Sequence, residues 1–155
     1  MNDEQRMRRA IELSRHAIDS GEGTPFGAVV VRDGVAIGEG WNQSRSLCDP
    51  TAHAEMIAIR NACRLENTLS LAGCDIFASG HPCPMCMAAL HWVGVDRLIF
   101  GSSTAETATA APMLSDAHVR AALLGEPSGR AIPSMQLLRD EAVAVIEAYG
   151  KGISS

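Results

Sequence analysis

Two short stretches restrict this chain more than anything else in it: Pro50-Thr51-Ala52-His53-Ala54-Glu55 and His81-Pro82-Cys83-Pro84-Met85-Cys86. His53 and Cys83 lie 30 residues apart, so whatever folds between them must return the chain to the same place. One imidazole and two thiols are three ligands for a zinc ion. Three protein ligands leave a fourth position open for water, which separates a catalytic zinc from a structural one. Glu55 is then left over as a group that can move protons. In mid-helix His53 and Glu55 would point about 200° apart. At a helix N-terminus His53 can hold the metal while Glu55 reaches over the open position. Cys83 and Cys86 are three apart and share one face of a first helical turn. Pro82 and Pro84 bracket Cys83, and proline suits helix starts. The partial positive charge of a helix N-terminus favours thiolate over thiol. Each stretch therefore reads as a helix start aimed at a shared metal.

A C-x-x-C pair alone is often a redox pair or half of a structural zinc site. A structural site would need a fourth ligand, and the nearby candidates, His81 and Cys74, repeat no C-x-x-C pattern. The combination of H-x-E with P-C-x-x-C is far more specific, and it is the pattern of zinc nucleobase deaminases. From Pro25 to Phe100 the chain resembles the cytidine and deoxycytidylate deaminase superfamily, and within it bacterial guanine deaminases. The residues that carry the resemblance are Pro25-Phe26-Gly27-Ala28-Val29-Val30-Val31, Asn42, Asp49 to Glu55, Ala58-Ile59-Arg60 and Pro82 to Cys86, with Arg130-Ala131-Ile132-Pro133 nearer the C-terminus. The resemblance implies an α/β fold of three layers, α/β/α, with a central mixed sheet of about five strands. It implies zinc held by His53, Cys83 and Cys86, Glu55 as proton shuttle, and a substrate bordered by Asn42, Phe26, Ala54 and Pro82. It also implies a homodimer, in some members with exchanged C-terminal segments.

The rest of the sequence suits this. At 155 residues the chain is expected to form one domain, 1–155, with a real core. A net charge of −5 and no basic run argue against general affinity for nucleic acid. Five cysteines without an apolar leader fit a reducing, cytoplasmic location. No apolar run approaches the ~20 residues of a membrane span.

Met7, Ala10, Ile11, Leu13, Ser14, Ala17 and Ile18 predict a helix over 3–20, with Asp3 as N-cap. Residues 26–32 and 35–41 predict a hairpin closed by Asp33-Gly34 in a type I′ turn, its first strand buried on both faces at Val29-Val30-Val31. Thr51 is the expected N-cap of a helix running to about Arg64, with Ala54, Ile57, Ala58, Asn61 and Ala62 inward. Cys63 and Cys74 are expected to be core residues, the latter opening a strand over 74–79. The helix over 84–93 is apolar nearly all round and is expected to be buried, with His91 in the core or at an interface. A strand over 97–100 follows, which the resemblance makes parallel to its predecessor. Residues 101–112 lack periodicity and predict a loop over the site. A short helix over 116–124, a loop over 125–133, a strand over 135–138, a helix over 139–150 and frayed last residues complete the reading.

The expected chemistry is hydrolytic deamination. Zinc lowers the pKa of its bound water to about 7, and Glu55 carries the proton to a ring nitrogen and then to the departing ammonia. The expected substrate is a guanine-like base or related aminoheterocycle. Nucleosides, cytosine-like rings and triazines stay open, because His81 stands where many relatives have Glu, only Glu106 is acidic across 101–112, and the C-terminus is not aromatic. A tRNA adenosine deaminase and a zinc-fold binding module without activity are the alternatives.

Overall fold

The computed structural model describes residues 1–126, 129, 132–133 and 135–154. Its centre is the valine run. Strand β1 (Gly27–Arg32) pairs antiparallel with β2 (Val35–Trp41) on one side and with β3 (Cys74–Gly80) on the other. Asp33 and Gly34 both take positive φ, 48° and 82°, as the expected primed turn requires. A bulge between Val30 and Val31 leaves Ile37 unmatched across the hairpin. Strand β4 (Arg97–Ser102) lies parallel to β3, which gives the order β2-β1-β3-β4. The sheet is mixed, as expected, but has four strands and not about five. Residues 135–138 form no strand: Met135, Leu137 and Leu138 are exposed, and Leu138 takes a positive φ of 52°.

Because successive strand residues face opposite ways, β1 feeds two cores. Val29 and Val31 meet Ala10, Leu13 and Phe77 under helix α1 (Asp3–Asp19). Ala28 and Val30 meet Ala54, Ala58, Ala62 and Ile76 under helix α2 (Ala54–Glu66). Helix α3 (Pro84–Val93) covers the same face and is the crossover between the parallel strands. Three layers result.

The seating of α2 is set by glycine. A Cβ on Gly38 or Gly40 of β2 would run into the backbone of Ala58 or Ala54. The alanine stripe of α2 lies almost on the sheet, and this fixes where the first turn of α2, with its chemical groups, must sit.

Several local expectations need correction. Asn2, not Asp3, caps α1, in a reciprocal pair with Gln5. Thr51 caps nothing: its N–H and hydroxyl both donate to Asp49, so α2 starts later, with His53 as N-cap. Glu55 and Ile59 join the buried stripe of α2 in place of Ile57 and Asn61, and Cys63 is only half-buried. Helix α3 buries only Cys86 and Leu90 within the chain; Trp92 is 91% exposed, and His91 is exposed and not in the core. Residues 101–112 are not a loop, because helix α4 (Thr104–Ala110) follows β4 at once. Its signal was a capping box, Ser103 with Glu106, in a stretch without apolar rhythm. A 3-10 turn (Pro112–Leu114) leads to α5 (Ala117–Leu123). The final helix α6 runs from Arg139 to Ser154, past the expected end at 150. The Arg130-Ala131 part of the C-terminal resemblance, much of the expected 125–133 loop and the Ala142 side chain lie outside the described residues.

Candidate active site

Helices α2 and α3 begin at the same end of the sheet, each with a metal-ligating type of residue at N-cap. His53 and Cys83 hold extended backbone there (ψ 156° and 169°), and neither side chain caps its helix. An N-cap side chain ordinarily turns inward to satisfy a backbone N–H. Here both turn towards each other instead. Cys83 Sγ and Cys86 Sγ each lie 3.5 Å from His53 Nδ1, and the three donor atoms lie within 4.8 Å of one another.

The set suits zinc. Bonds of about 2.3 Å to sulfur and 2.0–2.1 Å to nitrogen at a tetrahedral angle put S and N about 3.6 Å apart. The protonation pattern agrees. Hydrogen bonding from Cys86, and then from His53, brings the Cys83 thiol down to about 4, into the thiolate range. The same Cys83 contact together with burial pushes Cys86 up, and the Cys83 contact also raises His53. Without a cation the cluster can hold one thiolate; a divalent ion would let both sulfurs ionise.

Glu55, the second residue of α2, is only 5% exposed. Burial pushes its carboxyl above the usual carboxylate range, opposed by its own backbone N–H and by the Cys86 thiol. A buried acid that holds its proton at higher pH is suited to giving and taking one.

A cavity of about 390 Å³ opens over this cluster, and Phe26, Asn42, His53, Glu55, His81 and Cys83 line it. Asn42 is oriented by its own loop. Its Oδ1 accepts from the N–H of Thr24 (3.3 Å), the N–H of Ser44 (3.1 Å) and the Ser44 hydroxyl (2.7 Å). The oxygen is used, so the amide NH₂ is the part left for a ligand. Gly80 leaves space for the Phe26 ring against β3. His81 packs edge-on against Phe100, ring centroids 4.8 Å apart, with its Nδ1 3.1 Å from the Pro82 carbonyl. Ala54 and Pro82 are fully buried and their side chains do not line the cavity.

The far wall comes from Thr104, Thr107, Met113, Leu114, Ser115, Asp116, His118 and Val119. The sequence reading put 101–112, and so Thr104 and Thr107, over the site, but missed the residues from Met113 to Val119. Glu106 instead accepts the Ser103 N–H as part of the α4 cap and stays outside. Asp116 is the acidic side chain on this wall, and no Lys or Arg lines the cavity among the described residues.

A sequence profile of the "cytidine and deoxycytidylate deaminase zinc-binding region" matches residues 1–102. The chain belongs to the cytidine and deoxycytidylate deaminase family. It is 34% identical to the guanine deaminase of Bacillus subtilis (strain 168) over 149 residues, 96% of this chain and 94% of that one. The crystal structure of the Bacillus subtilis guanine deaminase superimposes with a TM-score of 0.89 over 97% of this chain and 95% of that one. A guanine deaminase from Nitrosomonas europaea, 29% identical, gives a TM-score of 0.67 over 71% of this chain and 64% of that one. The tRNA-specific adenosine deaminase of Aquifex aeolicus (strain VF5) is 39% identical over 102 residues, covering 66% of this chain and 67% of its own. As a deaminase-family chain, this protein carries its His/Cys/Cys cluster inside the matched region and the far cavity wall beyond it. Among the described residues no helix is long and apolar enough to cross a membrane.

Proposed function

We propose that this protein is a zinc-dependent hydrolase that releases ammonia from a guanine-like purine base or a closely related aminoheterocycle. The observation that carries the reading is Glu55, buried and protonation-prone, lining a cavity together with His53 and Cys83 of the His53, Cys83 and Cys86 cluster. Those three side chains would hold the metal. Zinc bound there supplies a Lewis acid and a water acidic enough to act near neutral pH. Glu55 accepts the proton that water gives up and passes it to the ring nitrogen beside the carbon under attack. With that water's oxygen bonded to the carbon, Glu55 takes a second proton from the new hydroxyl and delivers it to the amine, so the C–N bond breaks, ammonia leaves and a carbonyl remains. The Asn42 amide donates to an acceptor on the heterocycle. Phe26 packs on the ring, and the backbones of Ala54 and Pro82 close the site beneath it.

The guanine-type reading is supported by likeness over nearly the whole chain to a guanine deaminase, whereas the Aquifex tRNA deaminase aligns over about two thirds of it. Among the described residues no Lys or Arg lines the cavity to partner a phosphate, which favours a base over a nucleotide or an RNA loop. The tRNA adenosine deaminase reading rests on the higher identity, 39%, within the shared stretch. We place the enzyme in the cytoplasm as a homodimer of single-domain chains. Val145, Ile146 and Tyr149 on α6 and Trp92 on α3 are exposed apolar residues such an assembly would cover.

The test is ammonia release from zinc-loaded protein given guanine, adenine, cytosine, their nucleosides, a triazine and tRNA. Turnover of guanine with inert tRNA supports the reading. Turnover of tRNA adenosine alone replaces it with the second one, and no turnover of any member removes both.

A further inference from the structure

We propose that Arg120 is a positioning residue for this reaction, a clasp that sets the acidic wall of the cavity and the peptide before a metal ligand together. The proposal rests on the deaminase reading above. Arg120 Nε and Nη2 meet Asp116 Oδ1 and Oδ2, both at 2.9 Å, the two-pronged geometry that fixes a carboxylate in plane. Nη2 also donates to the Pro82 carbonyl at 3.2 Å. His81 Nδ1, from a ring that lines the cavity, lies 3.1 Å from the same oxygen, so this carbonyl is contacted from both the cavity side and α5. The next residue is Cys83.

Two consequences follow. Asp116 lines the cavity with its charge already balanced and its orientation fixed, so it presents acceptor oxygens to a neutral N–H without favouring a cation. The clasp also joins α5 to the α3 start. Among the described residues, the Arg120 to Pro82 hydrogen bond is the one that ties α5 to the chain before residue 100. Removing the guanidinium would loosen the wall against which the ring is held, while the metal cluster and Glu55 stay in place. Binding should suffer before chemistry does.

Arg120→Ala is expected to raise KM for guanine about tenfold or more, the range for losing hydrogen bonds to a charged partner, with kcat within about threefold and zinc content unchanged. Arg120→Lys, which keeps the charge but not the fork, should recover only part of the loss. Added guanidinium should restore Arg120→Ala and leave Arg120→Lys and wild type unaffected. Amide hydrogen exchange should quicken in Arg120→Ala over 112–124 and not in the sheet. An unchanged KM, a loss confined to kcat, a loss of zinc, or exchange that stays slow over 112–124 overturns the clasp. If wild type turns over no base, the functional reading fails, and the exchange measurement alone still decides whether Arg120 holds the wall.

Discussion

The first two thirds of the chain and the last third are built on different physical terms. Up to Ser102 the backbone is pinned by a sheet buried on both faces, by an alanine stripe against Gly38 and Gly40, and by two cores. After Ser103 come helices with few buried residues; Met113, Leu123 and Leu124 are exposed, and of α5 only Ala121 is buried. The reactive groups stand on the first part, and the far wall comes from the second. Chemistry that tolerates little misplacement sits where the backbone cannot move. Contacts that choose among rings sit where it can vary, in keeping with a profile match that stops at 102.

The strongest way to break this contrast is at the cluster. His53→Ala or Cys83→Ser should abolish turnover and leave well under one zinc per chain by elemental analysis, because two ligands rarely retain the ion. Either variant with full zinc and activity would show that the metal is not held here. Glu55→Gln should lower turnover by about 10²- to 10⁴-fold, the usual share of a positioned proton carrier, with zinc retained.

Glu55 also makes a stability prediction with a definite sign. Its folded-state pKa is raised, so in zinc-stripped protein its favourable effect is complete below the unfolded value of about 4.3 and is lost as pH rises through the folded value. Stripped Glu55→Gln should melt a few degrees above stripped wild type at pH 8, since a domain of this size moves about 2–4 °C per kcal/mol, and the gap should close near pH 4. A constant gap across pH would mean that the buried carboxyl is not the source.

Stability separates the two regions in another way. Phe77→Ala empties the centre of the α1-side core and should cost about 3–5 kcal/mol in denaturant unfolding. Met113→Ala and Leu123→Ala, both exposed, should stay within about 0.5 kcal/mol. Equal losses at the two places would erase the contrast.

The same contrast decides what could be read from the sequence. The valine run, the Asp33-Gly34 turn and the helix starts at His53 and Cys83 are local patterns, and each also serves the tertiary fold. Asp116 carries no such mark. It reaches the cavity only because α4 and the 3-10 turn lead the chain back over the site, and neither helix has an apolar stripe to announce it. Thr51 misled for a related reason: Asp49 had already taken its hydroxyl, and the cap went to a histidine with other business. The apolar look of α3 predicted burial, yet Trp92 faces outward, because apolar sequence reports a demand for cover and not what supplies it. The same is true of Met135 and Leu137, which read as strand residues and lie exposed.

The smallest expected effect compares two Arg–carboxylate forks of the same geometry. Arg9 meets Glu39 at 2.9 and 2.8 Å, joining α1 to β2 on the scaffold, as Arg120 meets Asp116 on the wall. The Arg9 guanidinium lowers the Glu39 pKa, so the stabilisation is present above the unfolded value of about 4.3 and fades as pH falls through the lower folded value. Both side chains are more than a third exposed, so solvent screening holds Glu39→Gln to about 0.2–1 kcal/mol near pH 7, less at high salt. KM for the base should not change. A KM shift in Glu39→Gln as large as that in Arg120→Ala would mean that the scaffold and the wall are not separable, and that the position of a fork in the fold does not determine what it controls.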